Sequence, residues 1–300
     1  MKIVITGSTG QLGRDCCALL AENHQVIGCN APRMDISDAA TINSHIARHQ
    51  PEVLINCAAY TAVDACETER EHAWKVNALG PELLAKASHE HNFRLIHIST
   101  DYVFDGSLPA PEAYTENDST NPLSEYGRSK LAGEEAIARY AEDYVILRTA
   151  WLYSAHGKNF LKTMLRLALA DKAGKLANGV RVVHDQYGSL TWSYTLAQQI
   201  ERLLTSDIKG IVHATADGYS TWFEAALYFL MKMGIEHNFS PCATSDYPTP
   251  AHRPANSILA NSRLDGAGIS TFRHWQKDID RFVNHHREEL LKEAETSLGI

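Results

Sequence analysis

Short apolar runs of strand length recur through the first half of the chain: KIVIT, QVIGC, EVLIN, RLIHIS and YVILRT. Between them the apolar positions space out at helical intervals, as from Leu12 to Leu20 and from Leu83 to Ala87. Strands that alternate with helices need crossover connections, so this half predicts a doubly wound parallel α/β sheet. After Trp151 the pattern loosens. Helix candidates run from Phe160 to Leu169, Tyr194 to Leu204, Phe223 to Met233 and Trp275 to Leu291, with short strands such as GIVHAT and loops rich in proline, asparagine and serine between them. The expected division is a first domain over 1–155 and a smaller α/β domain over 156–300, with a helix near Leu196 able to return to the first. No internal repeat or low-complexity stretch interrupts either half.

Composition narrows the class. At 300 residues, 44% hydrophobic and 21% charged, the chain can bury one or two full cores. A formal net charge of -8 argues against a general nucleic-acid binder, which needs a basic surface to displace counterions. Met1 and Lys2 lead directly into a strand-length apolar run, unlike a signal peptide, and no run approaches the length of a membrane span. Six cysteines show neither metal nor redox spacing; read as reduced thiols, they place the protein in the cytoplasm.

Gly7, Gly10 and Gly13 directly follow the first strand and open the first helix. Glycines there permit a tight turn and close approach of a pyrophosphate to the backbone, while the helix N-terminus favours its negative charge. The spacing is G-x-x-G-x-x-G rather than G-x-G-x-x-G, and a plain strand-to-helix turn is the competing reading. The second strand ends at Cys29 and Asn30, without the carboxylate that accepts hydrogen bonds from the ribose of NAD. Its absence favours NADPH, with NADH the alternative. Arg14 and Arg33 are candidates for a 2′-phosphate, and Asp35 and Ile36 for the border of the adenine.

Tyr126 and Lys130 in SEYGRSKLAGE lie one helical turn apart on the same face, downstream of Thr100 in RLIHISTDYVFDG. That pairing suits proton transfer to a carbonyl oxygen, because an adjacent ammonium stabilises the phenolate and brings its pKa toward the working range.

Together GSTGQLG, NCAAYTAVDACE, HISTDYVFDG, YGRSKLAGE and RTAWLY resemble the successive motifs of the extended short-chain dehydrogenase/reductase superfamily. More narrowly, with DQYGSLT and RPANSILANSRL, the chain resembles the dTDP-4-dehydrorhamnose reductase family over most of its length. The resemblance implies NADPH-dependent reduction of the 4-keto group of dTDP-4-dehydro-6-deoxy-L-mannose, giving dTDP-L-rhamnose. Thr100 would bond the keto oxygen, Tyr126 would donate its proton, and Lys130 would hold the nicotinamide ribose and lower the tyrosine pKa. Gly10, Gln11 and Leu12 match the pyrophosphate turn; Ala59, Tyr60 and Thr61 match a segment lining the cofactor. Trp151 resembles a sugar-facing tryptophan and Arg253 a diphosphate contact, and Asp101 joins Thr100 on the substrate side. Tyr102 stands where related dehydratases carry a glutamate, which favours reduction over dehydration. Asn159, Asn256 and Ser257 are weaker polar candidates, better read as loop-stabilising residues.

One departure is Leu190 in DQYGSLT, where the family usually has proline, so the loop shaping the sugar pocket is expected to differ. Fifteen histidines invite a metal site, but His45 with His49 and His285 with His286 lack supporting ligands and read as solvated faces, as do Glu289, Glu293 and Glu295. No metal is expected; magnesium, reported at the dimer contacts of some family members, has no motif here, and a homodimer is compatible with the chain. Two other readings stay open: a reductase of another nucleotide 4-ketosugar, and a nucleotide-binding regulatory subunit like that of methionine adenosyltransferase.

Overall fold

The computed structural model describes residues 1–176 and 179–300. Six parallel strands form the central sheet: β1 (Lys2–Thr6), β2 (Gln25–Cys29), β3 (Val53–Asn56), β4 (Arg94–Thr100), β5 (Tyr144–Thr149) and β6 (Gly210–His213), in the order β6-β5-β4-β3-β1-β2. The order reverses at β1, between β2 and β3. Ligands of open α/β sheets bind at the carboxyl ends of the strands flanking such a reversal.

Consecutive apolar residues in these strands reflect burial on both faces. Ile3 and Ile5 pack on one side with Leu12, Leu20, Leu196 and Ile200 of helices α1 (Gln11–Leu20) and, from the second half, Ser193–Leu203. Val4, between them, points to the other side and packs with residues of α2 (Ala39–His49), α3 (Gly80–His91) and α4 (Glu125–Tyr140). Both the sheet's edge strand β6 and the helix over Leu196 therefore come from beyond residue 155.

The remainder is built on α5 (Phe160–Lys172), α6 (the Ser193–Leu203 helix), α7 (Trp222–Met233) and α8 (Trp275–Leu298). A separate core joins α5, α7 and α8 through Leu161, Leu165, Phe229, Ile279 and Phe282. Local chemistry marks their ends. Thr221 and Glu224 form a reciprocal capping box at α7, and Asn159 caps α5 by accepting from the Lys162 N–H at 3.1 Å. Among the described residues no helix is long and apolar enough to cross a membrane.

Candidate active site

Strand β1 ends in a turn in which Gly7 adopts φ +61°, and a Cβ there would lie 2.7 Å from Ala58 N and from the Cys57 carbonyl. Only glycine fits both the left-handed backbone and that gap. The turn closes through the Gly10 N–H to Gly7 O at 2.9 Å and leads into α1, whose first turn carries no acidic side chain. The free N–H groups of this helix end thus face the cavity with no competing anion, which fits a pyrophosphate.

The cavity beyond it has a volume of about 960 Å³. Gly10, Gln11, Leu12 and Gly13 line it, together with Ala59 and Thr61. Thr100, Asp101, Tyr126, Lys130, Trp151 and Arg253 line it as well. Gly7, Arg33, Asp35, Ile36 and Tyr60 lie outside these walls. Gly7 acts through the turn. Arg33 donates to Gly28 O at 3.3 Å beside β2, Asp35 accepts from both the N–H and the hydroxyl of Ser37, and Ile36 is buried in the core near Gly80. Tyr60 is fixed through its backbone by Asn77, which accepts from its N–H at 2.8 Å and donates to its carbonyl at 3.0 Å.

Helix α4 carries the tyrosine and lysine, and its start is set by Ser124, whose hydroxyl accepts from Gly127 N at 3.2 Å. Burial pushes the Tyr126 phenol above its ordinary value, and a hydrogen bond with Thr100 works against that rise. Burial lowers Lys130 to about 8, opposed by the carboxylate of Glu134. Glu134 is itself neutralised by Arg148, whose Nη2 approaches its Oε2 at 2.7 Å. Asp101, raised to about 6 by burial, accepts from the Thr100 hydroxyl at 2.9 Å through Oδ1, while its buried Oδ2 has no partner.

Trp151 stands at φ +47°, an uncommon conformation for a bulky residue, with its ring stacked on Trp222 at a centroid distance of 3.5 Å. Gly188 of the DQYGSLT segment leaves room for it, since a Cβ there would lie 2.4 Å from Trp151 Cε2. Leu190 is buried in the core and also lines the cavity. Arg253 meets Asp64 in a two-pronged pair, Nη1 to Oδ1 at 3.1 Å and Nη2 to Oδ2 at 2.9 Å, and bonds Thr249. That pair holds Asp64 below the usual carboxylate range. Asn159 joins the halves by donating to Gln11 Oε1 at 3.1 Å, whereas Asn256 serves backbone carbonyls of Leu108 and Glu112.

Sequence reasoning passed over Trp222, Asp64 and Thr149, all in the cavity wall. Thr149 ends the YVILRT strand and has a buried hydroxyl with no partner. Its place at a central strand's carboxyl end was the available signal. Among the described residues no group of three or more His, Cys, Asp or Glu side chains is placed to hold a metal ion.

A parallel sheet whose glycine turn opens onto a cavity containing a buried threonine, tyrosine and lysine is the architecture of a dinucleotide-dependent oxidoreductase. The family model described as the RmlD substrate binding domain matches residues 1–288, and the chain belongs to that family. It is 37% identical over 275 residues to a dTDP-4-keto-6-deoxy-D-glucose reductase of Streptomyces niveus, covering 91% of this chain and 93% of the relative. It is 35% identical over 294 residues to a dTDP-4-dehydrorhamnose reductase of Sinorhizobium fredii, covering 94% and 97%. Among solved structures, a dTDP-4-dehydrorhamnose reductase of Bacillus anthracis in complex with NADP superposes with a TM-score of 0.90 at 34% identity, over 95% of this chain and 99% of that one.

Proposed function

We propose that this protein reduces the 4-keto group of dTDP-4-dehydro-6-deoxy-L-mannose to give dTDP-L-rhamnose, using NADPH. The observation that carries the reading is the convergence of Thr100, Asp101, Tyr126 and Lys130 in one cavity, between the glycine turn and the wall of Trp151 and Arg253. Gly10 to Gly13, Ala59, Thr61 and Lys130 would hold the cofactor, which supplies the hydride when bound. The Bacillus anthracis structure, solved with NADP, supports NADPH over NADH.

The chain's own groups supply the rest. Thr100 orients the keto oxygen, and Tyr126, whose phenol burial keeps protonated, gives its proton to that oxygen as charge develops there. The proton leaves the phenol and joins the new alcohol, so Tyr126 must be reprotonated from the Lys130 side or from solvent. The stacked indoles of Trp151 and Trp222 give the sugar an apolar wall. Arg253 would serve the diphosphate while still tied to Asp64, which keeps its planar fork in place. We assign the nucleotide layer to 1–155 together with the returning helix α6 and strand β6, and the substrate layer to the remainder.

The name of the Streptomyces niveus relative favours a second reading, reduction of the D-glucose-configured 4-ketosugar. The deciding assay follows loss of reduced-nicotinamide absorbance with each enzymatically generated ketosugar, run with NADPH and with NADH. Formation of dTDP-rhamnose supports the first reading, and turnover of only the other sugar supports the second. Cofactor binding without turnover of either leaves the regulatory role.

A further inference from the structure

Beneath Lys130 a chain of buried polar groups crosses the sheet from β1 to α4. The Thr6 hydroxyl donates to Asn56 Oδ1 at 2.6 Å, Asn56 Nδ2 lies 2.9 Å from His97 Nδ1, and His97 Nε2 lies 3.2 Å from Lys130 Nζ. Thr6, His97 and Asn56 are at most 1% exposed, and Lys130 is 1% exposed. A polar chain this deep must match donors to acceptors, because a mismatch has no water to relieve it.

The direction of the chain can be read from a backbone group. Asn56 Oδ1 also receives the Ala58 N–H at 3.2 Å, and an N–H can only donate. The amide oxygen is therefore the end turned toward Thr6 and Ala58, and the NH2 end is turned toward His97. A donor at Nδ1 leaves the neutral imidazole with its proton on Nε2, aimed at Lys130. Lys130 already donates to Ile98 O at 2.6 Å. An amine can accept the Nε2–H through its lone pair, and an ammonium cannot.

We propose that Asn56 holds His97 as the Nε2–H tautomer and that this imidazole, a positioning residue, presents a donor to Lys130 Nζ that weakens the lysine's ammonium form. The inference rests on Lys130 belonging to the reaction, though its central claim concerns hydrogen-bond direction alone. The effect adds to the burial that already lowers Lys130.

The other groups facing Lys130 do not duplicate this effect. From its own helix come Tyr126 and Glu134, the latter held by Arg148 from β5 and by the Ser99 hydroxyl at 2.5 Å. Past the end of β3 comes Cys57. Glu134 and Cys57 favour the ammonium; His97 is the neighbour whose donor opposes it. Burial and the Lys130 charge both keep the His97 ring neutral, well below the ordinary imidazole range.

Asn56→Asp tests the assignment with almost no change of shape. A carboxylate accepts from Thr6 and Ala58 through one oxygen and from a His97 Nδ1–H through the other, so Nε2 becomes an acceptor for the Lys130 ammonium. In full-length protein labelled with 15N-histidine, the His97 signals, assigned by subtraction of a His97→Gln spectrum, should show Nε2 protonated in the wild type and Nδ1 protonated in Asn56→Asp. The Lys130 titration, followed by 13C at Cε, should move up by about one pH unit or more. In ketosugar turnover the corresponding limb of the pH profile should move with it. A wild-type Nδ1–H tautomer overturns the proposal even if Asn56→Asp fails to fold. Reversal of the tautomer with an unmoved Lys130 titration also overturns it. Because the two spectroscopic readouts need no substrate, a failure to turn over any ketosugar would count against the proposed function and leave this inference standing.

Discussion

Asp101 offers a quantitative check on the electrostatics of the cavity. Asp101 is 2% exposed, and burial raises its carboxyl from 3.8 to about 6 despite the hydrogen bond from Thr100. Between those two values the folded protein holds a proton that the unfolded chain has released, so stability falls as pH rises through this window. Above it the full penalty applies, about 3 kcal/mol at 1.36 kcal/mol per unit. At about pH 4.5 the same relation leaves only about 1 kcal/mol. Asp101→Asn removes the titration, keeps the acceptor for Thr100, and places an NH2 where Oδ2 has no partner. The neutral cost of that exchange is the same at every pH, so it cancels in the comparison. Relative to wild type, the variant should therefore gain about 2 kcal/mol more at about pH 7.5 than at about pH 4.5, read from urea unfolding of both proteins. An equal stability difference at the two pH values, or a gain confined to the acid side, would refute the claim that Asp101 is held ionised against its burial.

Tyr126→Phe keeps the ring in its contact with Tyr102 and removes the acid; cofactor affinity should hold while kcat falls at least about a hundredfold, and near-wild-type turnover would take Tyr126 out of the mechanism. Lys130→Ala should weaken cofactor binding and slow turnover together, and unchanged affinity would mean that the lysine acts only on the tyrosine. Gly188→Ala would place a methyl 2.4 Å from Trp151, with an expected cost of about 1–3 kcal/mol, a raised KM for the ketosugar and an altered near-ultraviolet circular dichroism from the stacked indoles. Unchanged KM and dichroism there would show that the tryptophan wall yields freely.

Much of the fold was legible because its elements are made by short-range pattern. The five apolar runs of the first half and the GIVHAT run are the six strands of the sheet. The 160, 194, 223 and 275 helices start within a residue of where periodicity put them. Helix α8 runs on to Leu298, past the expected Leu291, because Ala294 and Leu298 carry the stripe of Leu290 one and two turns further along the core, in a segment of good helix formers. The two-residue strand pairs were not legible. Thr221 pairs with Tyr187 and Leu152 with Thr191, and a pairing so short across so much chain leaves no periodic trace.

The glycine turn, the spacing of Tyr126 and Lys130, and the order of the motifs are properties of the sequence by itself, since each depends on backbone permissiveness or helical pitch. Which residues share the cavity was decided by tertiary structure. Ile36 goes to the core and Arg33 to a backbone carbonyl, because the bend after β2 sets their directions and sequence distance does not. Trp222 meets Trp151, and Asp64 meets Arg253, through contacts spanning much of the chain. Asn56 and His97 each open one of the quoted motifs, yet nothing in either motif tells that the two side chains meet. Only the register of β1, β3 and β4 stacks Thr6, Asn56 and His97 beside one another beneath Lys130. Burial then gives the direction of their hydrogen bonds a consequence that an exposed row would lack, because bulk solvent cannot reach them to accept or donate in their place.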